Sequence, residues 1–146
     1  EDMFQASRSN AHDFSNEPFK ALLAANRGYL AHYHENRDVI RALIEAGTVD
    51  NRFRDVWWQM RKRHVDRFVH ALKKSHEIET VDGVPAYLVV ESMASLVEQS
   101  AYTWFAQEEL NAKPISVEVA AQIVTRIWYR TFFYPKLKQN SISEKN

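Results

Sequence analysis

Arg61 and Glu98 each fall where a charge is out of place. On a helical wheel of about 100° per residue, Arg61 lies between Phe68 and Leu72 and near Trp57. The polar arc of that stretch is made instead of Asp55, Gln59, Lys62, Asp66, His70 and Lys73. Between residues 85 and 107 the only charges are Glu91 and Glu98. A charge taken out of water costs roughly several kcal/mol unless it is paired, hydrogen-bonded or neutralised. Two arrangements answer this. Arg61 and Glu98 pair as the polar anchor of a ligand cavity, since buried charges concentrate at functional sites. Alternatively, the stem of Arg61 snorkels to the domain edge and the two glutamates lie at a subunit interface or its rim.

His64 shares the apolar stripe of Trp57 and Phe68 and reads as a pocket wall or a hydrogen-bonded core histidine. The other histidines build no metal site: His32 and His34 point to different helix sides, and His64, His70 and His76 recur at the wrong interval for one face. No Glu-x-x-His repeat of the di-iron kind is present. Nor is there a glycine-rich phosphate loop or a strand-borne serine elbow. No catalytic residue, metal or cofactor is expected. The rings Trp57, Trp58, Phe68, Tyr102, Trp104, Phe105, Trp128, Tyr129, Phe132 and Phe133 form core and interface by default, yet apolar and aromatic linings with few polar groups also typify small-molecule sites.

These residues need helices to position them. With 3 Gly and 4 Pro in 146 residues, sharp turns are scarce, which disfavours hairpin sheets and suits a few long helices. A first helix is expected over 17–35, with Pro18 in its first turn and Phe19, Leu22, Leu23, Tyr29, Leu30 and Tyr33 as its stripe. Asn36 caps a short second helix carrying Val39, Ile40, Leu43 and Ile44, which Gly47 ends in a left-handed stop. A third follows Asp50 and Asn51 to about residue 75, with Phe53, Trp57, Met60, His64, Phe68 and Leu72 at three- and four-residue steps.

Residues 76–84, including Asp82-Gly83, read as a loop. Pro85 then opens a fourth helix to about 109, charge-poor enough to be buried on several sides. Ser116 caps a fifth helix that runs to Pro135, lined by Val117, Ala121, Val124, Trp128 and Thr131 and widened by Ile123 and Ile127. Residues 1–15 read as a linker or frayed lead-in, 16–136 as one helical domain and 137–146 as a polar tail.

The 45% hydrophobic content suffices for one core. With no Cys, disulfides and thiol chemistry are excluded, and a reducing, cytoplasmic setting is expected. No stretch reaches the roughly 18 apolar residues of a membrane span, and the acidic start is unlike a signal peptide. The formal net charge is zero, with 19 basic and 19 acidic residues, so these residues alone are not expected to hold DNA.

The order of elements resembles the C-terminal regulatory domain of TetR-family repressors, in particular the branch that includes the ethionamide-resistance repressor of mycobacteria. The resemblance spans roughly residues 19–135. It is carried by Asn36-Arg37-Asp38-Val39-Ile40-Arg41-Ala42-Leu43-Ile44 leading into Phe53-Arg54-Asp55-Val56-Trp57, then by residues 93–105 with Glu98, then by Ile127-Trp128. It implies an all-α regulatory domain of about five helices whose last two, over 85–109 and 116–135, pair with a second copy in a four-helix bundle.

It also implies a lipophilic tunnel. Trp57, Arg61, His64 and Phe68 of the long helix, Ala94, Val97, Glu98 and Tyr102 of the penultimate one, and Trp128 of the last look like its lining. With Tyr29, Tyr33, Met60 and Met93 these form the expected site, reached between the first four helices. Arg61 and His64 stand where the branch has apolar or aromatic residues, which implies a more polar or acidic effector. The family's helix-turn-helix should precede this region, and nothing before Glu17 forms three helices. The first residue is Glu, so a trimmed piece of a longer chain is expected, touching operator DNA only through a segment outside it. The rival expectations are a helical-bundle metal or cofactor protein and a helical protein-interaction module.

Overall fold

The structure, a computed structural model, describes residues 13–134. Five α-helices carry the fold: α1 (Pro18–Glu35), α2 (Arg37–Gly47), α3 (Asn51–His76), α4 (Ala86–Ala101) and α5 (Val117–Phe133). The all-α bundle of about five helices read from the sequence is the architecture observed. The expected tail at 137–146 and most of the expected lead-in lie outside the described residues.

Local signals set most helix ends. Pro18 stands in the first turn of α1, where its missing N–H leaves no bond unmade. Asp50 caps α3 by accepting from the Arg52 amide, and Ser116 caps α5 by accepting from the Val119 amide at 3.2 Å. Asn36 makes no such cap. Its Nδ2 donates back to the His32 carbonyl at 2.9 Å, closing α1 instead.

Four expectations need correction. Gly47 remains in the helix and supplies no left-handed stop; the left-handed residue after a helix is Glu77 (φ 54°), whose turn lets Glu77 N–H reach Lys73 O at 3.0 Å and Ile78 N–H reach Leu72 O at 3.2 Å. The loop before α4 holds a two-residue-per-strand antiparallel hairpin, β1 (Thr80–Val81) with β2 (Val84–Pro85). Asp82 (φ 50°) and Gly83 (φ 80°) are both left-handed, as a tight two-residue hairpin turn requires, so Pro85 ends a strand rather than occupying the first helical turn. The regular part of α4 stops at Ala101; a π-helical turn (Tyr102–Ala106) and a 3-10 turn (Glu108–Leu110) follow. Finally, Ile123 and Ile127 face outward with Val119, while α5 buries Ala120, Ala121, Val124, Thr125, Trp128 and Phe132.

The main seam joins α1 to α5. Ala120 and Ala121 are both fully buried on α5, and their small side chains let the two backbones come close. Asn26 Nδ2 donates to the fully buried Thr125 Oγ1 at 3.0 Å, and Arg27 grips Glu118 through two bonds of 2.7 and 2.8 Å at the rim. Phe14 packs at the opposite bundle end, by the last turns of α3 and α5: its ring meets His76 edge-on at 4.7 Å, and its carbonyl lies 2.7 Å from His76 Nε2.

On the other side, α3 packs on α2 and α4. The polar arc read for α3 is exposed throughout, and so, at the free N-terminal end of the helix, is Phe53. α4 buries Ala86, Val90, Met93, Ala94, Val97 and Ala101, while Leu88, Ser92, Ser95, Gln99 and Thr103 are exposed on and just beyond it. That outward face is therefore uncharged rather than apolar. Among the described residues, no helix is long and apolar enough to cross a membrane.

Candidate functional site

A partly open cavity of about 90 Å³ lies between α1, α3, α4 and α5. Each helix presents residues at helical spacing. α3 gives Trp57, Met60, Arg61, His64 and Phe68; α4 gives Ala94, Val97 and Glu98; α1 gives Leu22, Ala25, Asn26 and Tyr29; α5 gives Trp128. The walls are mostly apolar and aromatic. Trp128 meets Phe68 edge-on at 4.7 Å, and the ring of Tyr29 lies 6.4 Å from His64.

Arg61 and Glu98 face each other across one wall. The side chains are 12% and 26% exposed, and Arg61 Nε donates to Glu98 Oε2 at 3.2 Å. One terminal nitrogen of Arg61 also donates to the Glu91 carbonyl at 2.9 Å and to Ser95 Oγ at 2.5 Å. Trp58, on the outer surface of α3, lies 5.9 Å from the guanidinium carbon as a cation–π partner. Of the two arrangements open in the sequence, the observed one is the pair at a cavity wall. Glu91 is engaged through its backbone carbonyl rather than its carboxylate.

Burial sets the electrostatics. It pushes the Glu98 carboxyl above the usual carboxylate range, with Arg61 pulling the other way. Burial, helped by the charge of Arg67, holds His64 below the ordinary imidazole value. The phenols of Tyr29 and Tyr33 are raised, Tyr29 by burial and the Glu98 charge, Tyr33 by burial and its neighbour Tyr102. The site therefore favours neutral groups around one ion pair. The indole Nε1 of Trp128 and the hydroxyl of Tyr33 are buried polar atoms with no hydrogen-bond partner among the described residues.

Of the residues expected at the site, Tyr29, Trp57, Met60, Arg61, His64, Phe68, Ala94, Val97, Glu98 and Trp128 come together around the cavity. Tyr33, Met93 and Tyr102 do not. Tyr33 is fully buried in the core, its ring 6.2 Å from that of Tyr29. Met93 sits about 100° around α4 from Ala94, where its sulfur lies 3.8 Å from Thr131 Oγ1 of α5. Tyr102 begins the π turn that breaks the register of α4, and its hydroxyl accepts from Gln107 Nε2 at 2.7 Å.

The expected route between the first four helices also changes, because α2 lends no wall and α5 supplies Trp128. Sequence reasoning missed Leu22, Ala25 and Asn26. Their spacing with Tyr29 is a turn-by-turn helical stripe, and Asn26 is the polar residue within it.

No group of three or more His, Asp or Glu residues able to hold a metal occurs among the described residues. No family profile, curated protein or solved structure matches the chain.

Proposed function

We propose that this chain is the ligand-sensing and dimerising domain of a cytoplasmic transcriptional regulator of the TetR type. A small, largely apolar effector occupies the cavity between α1, α3, α4 and α5. The observation that carries this reading is the cavity itself, walled by rings and aliphatic groups around the Arg61–Glu98 pair, a combination suited to holding a small organic molecule. Because the walls come from four helices, a ligand that prefers one spacing of those helices shifts the domain toward it. Heads attached ahead of α1 then move relative to adjacent half-sites on operator DNA.

The second copy docks on α4 and α5. Val119, Ile123, Ile127 and Tyr134 make an outward ridge on and just past α5, interrupted by the exposed Arg126 and Arg130, and α4 offers the uncharged face of Leu88, Ser92, Ser95, Gln99 and Thr103. Apolar and small polar surfaces of this kind suit a two-fold helical interface.

Sedimentation and thermal shift test the two parts. A dimer in solution, with a melting temperature raised by small apolar compounds and quenched tryptophan emission, is the expected result. A monomer indifferent to every compound in a broad hydrophobic panel refutes it. A helix-turn-helix pattern in the reading frame upstream of Glu1 tests the regulatory part.

A further inference from the structure

We propose that the cavity takes a compact, uncharged and mostly apolar molecule bearing one hydroxyl, whose O–H donates to Oε1 of Glu98. The assignment rests on the sensing role proposed above and narrows its ligand class. It also moves recognition from Arg61, which in the sequence implied a more polar or acidic effector, to the carboxylate beside it.

Arg61 and Glu98 are unequally satisfied. The guanidinium donates to the Glu98 carboxylate, the Glu91 carbonyl and Ser95 Oγ, and Trp58 stands beside it. Arg61 also lines an open groove on the outer surface with Trp58, Ser92 and Ser95, where water can meet its remaining N–H groups. Glu98 receives one bond, from Arg61 Nε to Oε2 at 3.2 Å, although an ionised carboxylate offers about four acceptor positions. Its Oε1 accepts nothing from the described residues.

That oxygen is within reach of a ligand. The Glu98 side chain is 26% exposed and lines the cavity but not the outer groove, so its open surface faces inward. The indole nitrogen of Trp128 and the hydroxyl of Tyr33 are sealed by their neighbours, whereas Glu98 Oε1 is not. The phenol of Tyr29, on another wall of the same cavity, feels the Glu98 charge. Acceptors in folded interiors are nearly always paired, and bonds to ionised acceptors are the stronger ones, so a donor delivered by a ligand completes this site.

The charges on the wall select among ligands. An ammonium at Oε1 would stand beside the Arg61 guanidinium, whose charge Glu98 already balances, and would leave one cation in excess. A ligand carboxylate would set a second anion against Glu98. Both arrangements are costly away from water. A carbonyl or ether would bring lone pairs toward those of Oε1. A hydroxyl avoids all three. The rest of the lining, with Leu22, Met60, Phe68 and Val97, rewards apolar contact. At about 90 Å³ the space is smaller than the roughly 150 Å³ of an apolar cavity that holds benzene, which limits the buried part to a small ring or short branched chain.

Calorimetry with three probes of similar size tests this: cyclopentanol, cyclopentanone, and cyclopentylammonium at neutral pH. The alcohol is expected to bind about 10-fold more tightly than the ketone, the value of one net hydrogen bond, and the ammonium to give no heat. The double variant Arg61→Met with Glu98→Leu, which removes both charges together, should level alcohol and ketone. In the unaltered protein, independently of whether that variant folds, the alcohol should shift the carboxyl carbon resonance of Glu98 and the ketone should leave it in place.

A ketone that binds as tightly as the alcohol, an ammonium that binds, an alcohol preference that survives the double variant, or a Glu98 resonance unmoved by the alcohol each overturns the hydroxyl assignment while leaving a ligand site in place. Silence from all three probes overturns the assignment and, with it, the cavity as the sensing site.

Discussion

The α1–α5 seam and the α3–α4 wall bury different kinds of residue to opposite effect. The seam closes on Ala120 and Ala121, and its one fully buried polar side chain, Thr125, is bonded to Asn26. The wall carries large rings and an ion pair, and a cavity opens beside them. Small side chains allow backbones to approach until packing is complete, whereas bulky and charged ones hold helices apart. The void thus opens along the α3–α4 wall, with Leu22, Ala25, Asn26 and Tyr29 of α1 and Trp128 of α5 closing its other side.

The largest effect that tests this contrast is expected at the seam side. Leu30→Ala, at a fully buried residue, should cost about 3 kcal/mol in urea unfolding, and Met60→Ala on the cavity wall about half of that, because Met60 already lacks neighbours on one side. Equal losses would erase the distinction.

Next comes the ion pair. Glu98→Ala strands the guanidinium of Arg61 and should cost about 2 kcal/mol, whereas the double variant Arg61→Met with Glu98→Leu should return close to the parent. The pH dependence sharpens this. Because the folded-state pKa of Glu98 is raised, its contribution is full below the ordinary carboxylate pKa and is lost as pH rises through the folded value, so Glu98→Gln should flatten the profile on that side. His64 runs the other way: its folded pKa is lowered, so its contribution is present above the ordinary imidazole pKa and is lost as pH falls. Removing each in turn should separate the two slopes in pH-dependent melting.

Smaller still, Ala25→Val should gain about 0.5 kcal/mol by filling space at the cavity, whereas Ala121→Val should lose about 1 kcal/mol or more by overpacking the seam. The smallest change in folding stability is expected on the outer ridge, where Ile127→Ser should shift unfolding by less than about 0.5 kcal/mol. If the proposed dimer forms, that variant should nonetheless abolish it in sedimentation.

Much of this was legible because it follows from periodicity. The helices, the buried stripe of α1 and the cavity-facing run Trp57, Met60, Arg61, His64 and Phe68 on α3 all come from three- and four-residue steps. The misplacement of Arg61 among apolar residues pointed to Glu98 because few other charges were available to pair with it. What escaped depends on angles between helices. Met93 and Ala94 are adjacent in sequence, and only the orientation of α4 decides which of them meets the cavity. Leu22, Ala25 and Asn26 share a helical stripe with Tyr29, but that this stripe meets the cavity depends on where α1 crosses, a fact of packing that the stripe alone does not encode. Tyr102 was lost to a change of helical register, and Ile123 and Ile127 lie on the outward face of α5, which helical spacing alone does not separate from the buried one.

The π turn at Tyr102–Ala106 has a history implicit in its geometry. It closes through Gln107 N–H to Tyr102 O at 3.0 Å, and Arg41 of α2 donates to the Ala106 carbonyl at 2.7 Å, while Glu108 just beyond pairs with Arg37 at 2.7 Å. A turn of this kind is equivalent to one residue inserted into an α-helix. Deleting a single codon there would restore the simpler helix and leave Glu108 in about the same phase, whereas deleting one from the regular part of α4, with the π turn kept, would swing Glu108 about 100° around the axis and away from Arg37. The tie between α2 and the end of α4 is therefore written in chain length as well as residue type, and it should tolerate the loss of one position within the turn more readily than the loss of one position in α4 itself.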